Sequence, residues 1–315
     1  MHTTTLRTTR RLIGAICLLV LALPAQAQQE AIAPFERMID GEWILGSLLN
    51  GTVQHDQWRW GPGKHSIIGY TRNTKDFGQS TSGIYRMIYW HPTQQRLKLL
   101  AIARGGLTSD GDVTLDDNSD VHFDLTLYYS DETSKAYQVD PVRHLQYGWF
   151  FEDDNSYHAR WYEDRSGQRE ILSGWHYTRH ERDNTIHDEP LKPLTHFKLV
   201  ETMLGDYNAG DATLTLTRIP HAHALRLQTS SPDESTEGVL YFHEGTDRIQ
   251  YLGLRSTGEV DEGTVTLTDN GAIRIHLDEA DTSITLKPEA DDALSWQTTA
   301  PQRPSPTIYH RVRDN

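Results

Sequence analysis

The sequence predicts an all-β protein made of two tandem antiparallel β-barrels, and three observations carry that expectation. The chain repeats itself: the segment from Gly83 to Leu97 returns from Gly238 to Ile249, and His91 to His243 and Arg96 to Arg248 share one offset of 152. A repeat of this length means that one structural unit is used twice. Both halves are rich in short segments that alternate apolar with polar residues, broken by Gly, Asn and Asp, as half-buried antiparallel strands are. The halves also begin and end alike. A helix-like apolar turn followed by Gly-acid-aromatic opens each (Gly41-Glu42-Trp43 and Gly205-Asp206-Tyr207), and a Tyr-x-Arg closes each (Tyr177-Thr178-Arg179 and Tyr309-His310-Arg311).

From the N-terminus, Arg7, Arg10 and Arg11 precede the apolar run Leu12 to Leu23 and the small-x-small site Ala25-Gln26-Ala27. This is the pattern of a cleaved export signal over 1–27, and the apolar run is short for a membrane span. Helical turns are expected only at Pro34 to Ile39 and Thr195 to Leu204. Between them, strands are expected at Lys64 to Arg72, Arg96 to Ala103, Val121 to Tyr129 and Ser156 to Glu163. In the second half they are expected at Ala212 to Arg218, Ala224 to Thr229, Arg248 to Leu254, Gly263 to Thr268, Ala272 to Leu277 and Ser283 to Leu286. Asp117-Asn118 and Asp269-Asn270-Gly271 supply hairpin turns at matching places. Trp161 and Trp296 fall at comparable positions near the two ends. The stretch 181–194 is charged, holds Pro190 and Pro193 and lacks alternation, so it reads as a linker. The expected division is a signal at 1–27, a first barrel at 28–180, the linker, and a second, diverged barrel at 195–315. Closure of each sheet would remove exposed edges.

Composition sets further bounds. The one cysteine, Cys17, lies within the leader, so a processed chain has neither disulfides nor thiolate ligands nor thiol catalysis. Losing three leader arginines takes 30 basic residues to 27 against 44 acidic ones, a balance of −17. Such a surface disfavours nucleic acid and anionic membrane as partners. With the leader, it points to a periplasmic or secreted protein.

The Gly-x-Trp of the first strand after a helical turn, with an arginine on the last strand, resembles the lipocalin or calycin barrel. The run from Trp58 through Gly61-Pro62-Gly63-Lys64-His65-Ser66 to Trp90-His91-Pro92 also resembles uncharacterised secreted bacterial proteins of calycin type. The resemblance implies that Trp43 packs at the closed barrel end with Arg179 across it, and that Tyr207 and Arg311 do the same in the second half. Tyr207 departs from the tryptophan of the pattern.

No nucleophile elbow, phosphate loop, dinucleotide fingerprint or His-Glu-x-x-His motif occurs, and no cofactor is implied. His91 and His243 can be read as ligands or acid–base groups, or as strand-end imidazoles bonded to turn backbone; their presence in both halves favours the second reading. His221 with His223 share a strand face, and His176 with His180 stand close in sequence, yet no third ligand is apparent near either pair, and no metal site is assigned. Adjacent carboxylates such as Asp116-Asp117 and Asp153-Asp154 diverge on a strand and suit solvated turns.

Large rings crowd the first half. A barrel that turns one set of them inward would hold a small, partly apolar molecule, and Trp58, Trp60, Tyr85, Tyr89 and Trp161 are the expected ligand-binding residues. Two other functions remain open. One is a hydrolase or isomerase in a barrel mouth, with His65, Glu163 and His176 as the first suspects by chemical type. The other is an envelope interaction module without a pocket.

Overall fold

Short alternating segments cannot bury their apolar faces singly, and here they do so by closing twice. The computed structural model describes residues 28–46, 52–74, 79–104, 106–165, 168–182, 187–188, 195–220, 222–279, 282–299 and 305–312. The expected leader at 1–27, most of the linker, and His221 lie outside the described residues. Ten strands form the first barrel: β1 (Glu42–Leu45), β2 (Val53–Trp60), β3 (Ser66–Thr74), β4 (Gln79–His91), β5 (Arg96–Ala103), β6 (Thr108–Leu115), β7 (Val121–Tyr128), β8 (Val142–Asp153), β9 (Ser156–Arg165) and β10 (Gln168–His180). Each pairs antiparallel with the next, and β10 returns to β1 with Trp43 opposite Arg179.

Within the linker, β11 (His187–Asp188) adds to β4 in parallel, so the linker is not wholly irregular. The second barrel is β12 (Gly205–Ala209), β13 (Ala212–Arg218), β14 (Ala224–Ser230), β15 (Ser235–His243), β16 (Arg248–Arg255), β17 (Val260–Leu267), β18 (Ile273–Leu277), β19 (Thr282–Pro288), β20 (Ala293–Thr298) and β21 (Thr307–Arg311). It closes through β12 and β21, with Tyr207 opposite Arg311. Among the described residues no helix is long and apolar enough to cross a membrane.

The ends of the two barrels are built alike. A 3-10 helix at Ala33–Met38 buries Phe35 and Met38 beneath the first barrel, and another at Thr195–Met203 buries Phe197, Val200 and Met203 beneath the second. Trp43 Nε1 donates to the Met38 carbonyl at 3.2 Å, and the Tyr207 hydroxyl donates to the Met203 carbonyl at 3.0 Å. Tyrosine in place of tryptophan therefore keeps a donor where the helix leaves a carbonyl unpaired. The guanidinium of Arg179 lies 4.8 Å over the Trp43 ring, and that of Arg311 lies 4.9 Å over the Tyr207 ring.

The expectation of only two helical turns is corrected by helical residues at 28–32, by a 3-10 turn at Pro62–Lys64 and by one longer helix. That helix is α1 (Asp131–Tyr137), between β7 and β8. Ser130 caps it by accepting from the Thr133 amide at 3.2 Å, Asp131 and Glu132 occupy its first turn, and it buries no residue. Lacking an apolar face, it leaves no helical period in the sequence.

The barrels dock through strands whose two faces are both buried. On β4, Ile88 points into the first barrel, whereas Tyr85, Met87 and Tyr89 point out into a cluster shared with Val239, Tyr241, Leu252 and Leu254 of the second. The contact is reciprocal. His91 Nε2 lies 3.5 Å from Glu262, and its repeat-equivalent His243 lies 3.3 Å from Asp110, the equivalent of Glu262. Tyr85 donates to Glu237 at 2.9 Å, and these two residues are themselves equivalent, 152 positions apart. Residue i meeting j while j meets i is the signature of a twofold contact, here made within one chain.

Candidate binding cavity in the first barrel

Inward-facing residues of β2 and of β4 to β10 leave a cavity of about 390 Å³ in the first barrel. Its wall is apolar, with Leu99, Leu125, Leu127 and Leu145 facing Trp161 and Trp175. Trp161 is held in place by stacking on Tyr147, with ring centroids 4.3 Å apart.

One end of the cavity is polar. Arg86 and Asp56 are both buried, and Arg86 Nη2 lies 2.8 Å from Asp56 Oδ2. Arg86 also donates to Thr71 Oγ1, and its guanidinium lies 4.6 Å over the Trp58 ring. Burial works against the charge on Arg86, but Asp56, with smaller contributions from Tyr147 and Tyr157, more than offsets it, and the guanidinium stays protonated. Two phenols complete this end. The Tyr147 oxygen accepts from Trp149 Nε1 at 2.8 Å, and the Tyr177 oxygen accepts from Gln54 Nε2 at 2.7 Å. Burial raises both phenols, and neighbouring Asp56 raises them further while Arg86 opposes. They therefore remain protonated at neutral pH. Each has its own hydrogen left to donate, and Arg86 Nε is buried without an acceptor among the described residues. The cavity thus joins an apolar body to an end rich in donors.

The same positions in the second barrel are filled differently. By the offset of 152, Arg86 corresponds to Gly238, Leu99 to Tyr251 and Ala101 to Gly253. Tyr251 is 3% exposed and packs against both glycines: a Cβ added to Gly238 would come within 2.5 Å of its ring. The larger ring thus takes up space that the first barrel leaves open.

The residues expected to bind a ligand are dispersed. Trp161 lines the cavity. Trp58 is packed inside the barrel against Trp149, with ring centroids 5.3 Å apart, and Trp60 is partly buried beside the same core. Tyr85 and Tyr89 face the second barrel, because the outer face of β4 is covered. Arg86, Asp56, Tyr147 and Tyr177 were not anticipated. The available signal was an arginine in the midst of an apolar strand, with glycine at the equivalent place.

The suspected catalytic residues do not converge. His65 lies beside Ser256, Glu163 pairs with Arg143 at 2.7 Å, and His176 is on the outer face of β10. His91 accepts from the Gln94 amide at 3.3 Å, a strand-end bond to turn backbone, in addition to its contact with Glu262. His180 bonds Thr178 Oγ1 at 2.9 Å and does not join His176. Instead, cross-strand register sets His176 opposite His158, and Glu152 reaches both, at 3.3 and 2.9 Å. These three residues present ligand atoms within 4.8 Å of one another on a solvent-facing surface, the donor set that a divalent cation would use.

No protein-family model matches the chain, and no curated protein does. Among solved structures, the crystal structure of Rv2717c from M. tuberculosis aligns at 10% identity with a TM-score of 0.33, covering 49% of this chain and 98% of that one.

Proposed function

We propose that this is an exported calycin-type protein that reversibly binds a small, largely apolar molecule inside its first barrel. The observation that carries the reading is the cavity of about 390 Å³ with leucine and tryptophan walls and a donor-rich end at Arg86, Tyr147 and Tyr177. Cavities of roughly 300–1,000 Å³ with an apolar lining and a few placed polar groups suit small-molecule ligands. The apolar body of the ligand would displace poorly bonded water, and a carbonyl, hydroxyl or carboxylate oxygen would meet the phenol hydrogens and Arg86 Nε. An acceptor at that end would relieve buried donors whose desolvation otherwise goes uncompensated. The second barrel, with Tyr251 in its interior, would serve as a structural partner.

Native mass spectrometry of protein purified from its own host tests this directly. A bound small molecule lost from an Arg86→Met, Trp161→Ala double variant supports the proposal. A chain that carries no ligand, and that fails to bind the neutral probe N-phenyl-1-naphthylamine, overturns it.

A further inference from the structure

A second cavity, of about 340 Å³, opens between the barrels where β2 and β3 face β13 and β14. Four arginines line it: Arg59, Arg182, Arg218 and Arg226. This concentration stands out in a chain whose formal charge is −14. Two of the four are neutralised within the protein. Arg59 pairs with Glu237, which also accepts from Tyr85 and Gln228, and Arg218 pairs with Glu201 at 2.8 Å.

Among the described residues no carboxylate pairs with Arg182 or Arg226, and Arg226 Nε is buried without an acceptor. Arg226 stands on the outer face of β14, where the first barrel limits its access to water, so its charge is only partly solvated. A cleft with low-dielectric walls concentrates the field of such charges and draws anions toward it. Tyr70 and Ile68 add an apolar wall beside the guanidinium groups. The arginines break the internal symmetry: Ile68 lies opposite Met87, and Arg226 lies opposite Val239, the repeat equivalent of Met87, so that Ile68 in β3 corresponds to Arg226 in β14. Shared folding therefore does not account for the charge.

We infer that this inter-barrel cleft is a binding site for a small organic oxyanion, held by Arg182 and Arg226 with its carbon skeleton against Tyr70. A guanidinium offers paired N–H donors that match a phosphate, sulfonate or carboxylate. The site is separate from the cavity inside the first barrel and does not depend on that cavity's ligand.

Titration calorimetry of the full chain with phenyl phosphate, at low salt and again at moderate salt, tests the assignment. Binding that weakens with salt is expected, with a loss of at least about tenfold in Arg226→Gln and about fivefold in Arg182→Ala, partly restored in Arg182→Lys. Arg182 is exposed, so its substitution leaves the fold intact and decides the question should Arg226→Gln fail to fold. No heat of binding at millimolar phenyl phosphate and low salt overturns the inference, as does equal affinity in Arg182→Ala.

Discussion

Arg86 of β4 and Asp56 of β2 form an ion pair at 2.8 Å inside a β-barrel, across the intervening strand β3, whose Thr71 also accepts from Arg86. Removing either partner strands a charge in a poorly solvated place, which costs about 3–5 kcal/mol. Asp56→Asn and Arg86→Met are each expected to destabilise the protein by that order. The double variant should recover a substantial part of the loss. Urea denaturation of the four proteins as a double-mutant cycle measures the coupling, and additive losses would contradict the pairing.

Leu99→Tyr would bring the side chain of the second barrel into the cavity of the first. The glycines that accommodate Tyr251 are absent there, so a penalty of about 1–3 kcal/mol from overpacking is expected. Uptake of N-phenyl-1-naphthylamine, read by fluorescence, should fall at least tenfold. Because the probe is neutral, the arginine cleft does not contribute. Uptake equal to that of the unaltered protein would place the probe elsewhere.

Docking of the barrels rests on side chains with no access to solvent, of which Met87 is 0% exposed. Met87→Asp places a carboxylate at the centre of that contact, and Leu252→Asp does so from the other side. Scanning calorimetry should show one cooperative unfolding transition in the parent and two in either variant, as each barrel unfolds on its own. A single transition with an unchanged midpoint would mean that the contact contributes little.

Acid should weaken the second barrel through His196 and His223. His196 stacks on Phe242, with ring centroids 3.8 Å apart, and His223 lies 6.5 Å from it. Burial lowers both imidazoles from their ordinary value, and the proximity of His223 lowers His196 further, against a smaller opposing effect of Asp247. A histidine with a depressed folded pKa binds fewer protons folded than unfolded. Its contribution is complete above the unfolded value of about 6.5 and is lost as pH falls through the folded value. Stability should therefore decline from about pH 7 to pH 5, and the His196→Gln, His223→Gln double variant should flatten that decline in urea denaturation. An unchanged slope would assign it to other groups.

Architecture was legible because alternation is a local property. Arg96 to Ala103 and Ala212 to Arg218 are strands over those same residues. Parity was harder to read. On Tyr85-Arg86-Met87-Ile88-Tyr89 both faces are buried, one by the barrel interior and the other by the second barrel, so alternation alone cannot say which face is inward. That is why Tyr85 and Tyr89 stand outside the cavity while Arg86 lines it. Glu152, His158 and His176 meet through strand register and a hairpin rather than through spacing along the chain. The helix Asp131–Tyr137 announced itself only by its cap.

Tyr85 and Glu237 occupy the same position in the two repeats, yet one donates a hydrogen bond and the other accepts it. Were the halves separate identical chains, a side chain on the symmetry axis would face its own copy, phenol against phenol or carboxylate against carboxylate. Joining both copies in one polypeptide lifts that restriction. Each can drift toward complementarity with the other, and a seam that began as self-matching can acquire polarity, charge and a ligand of its own.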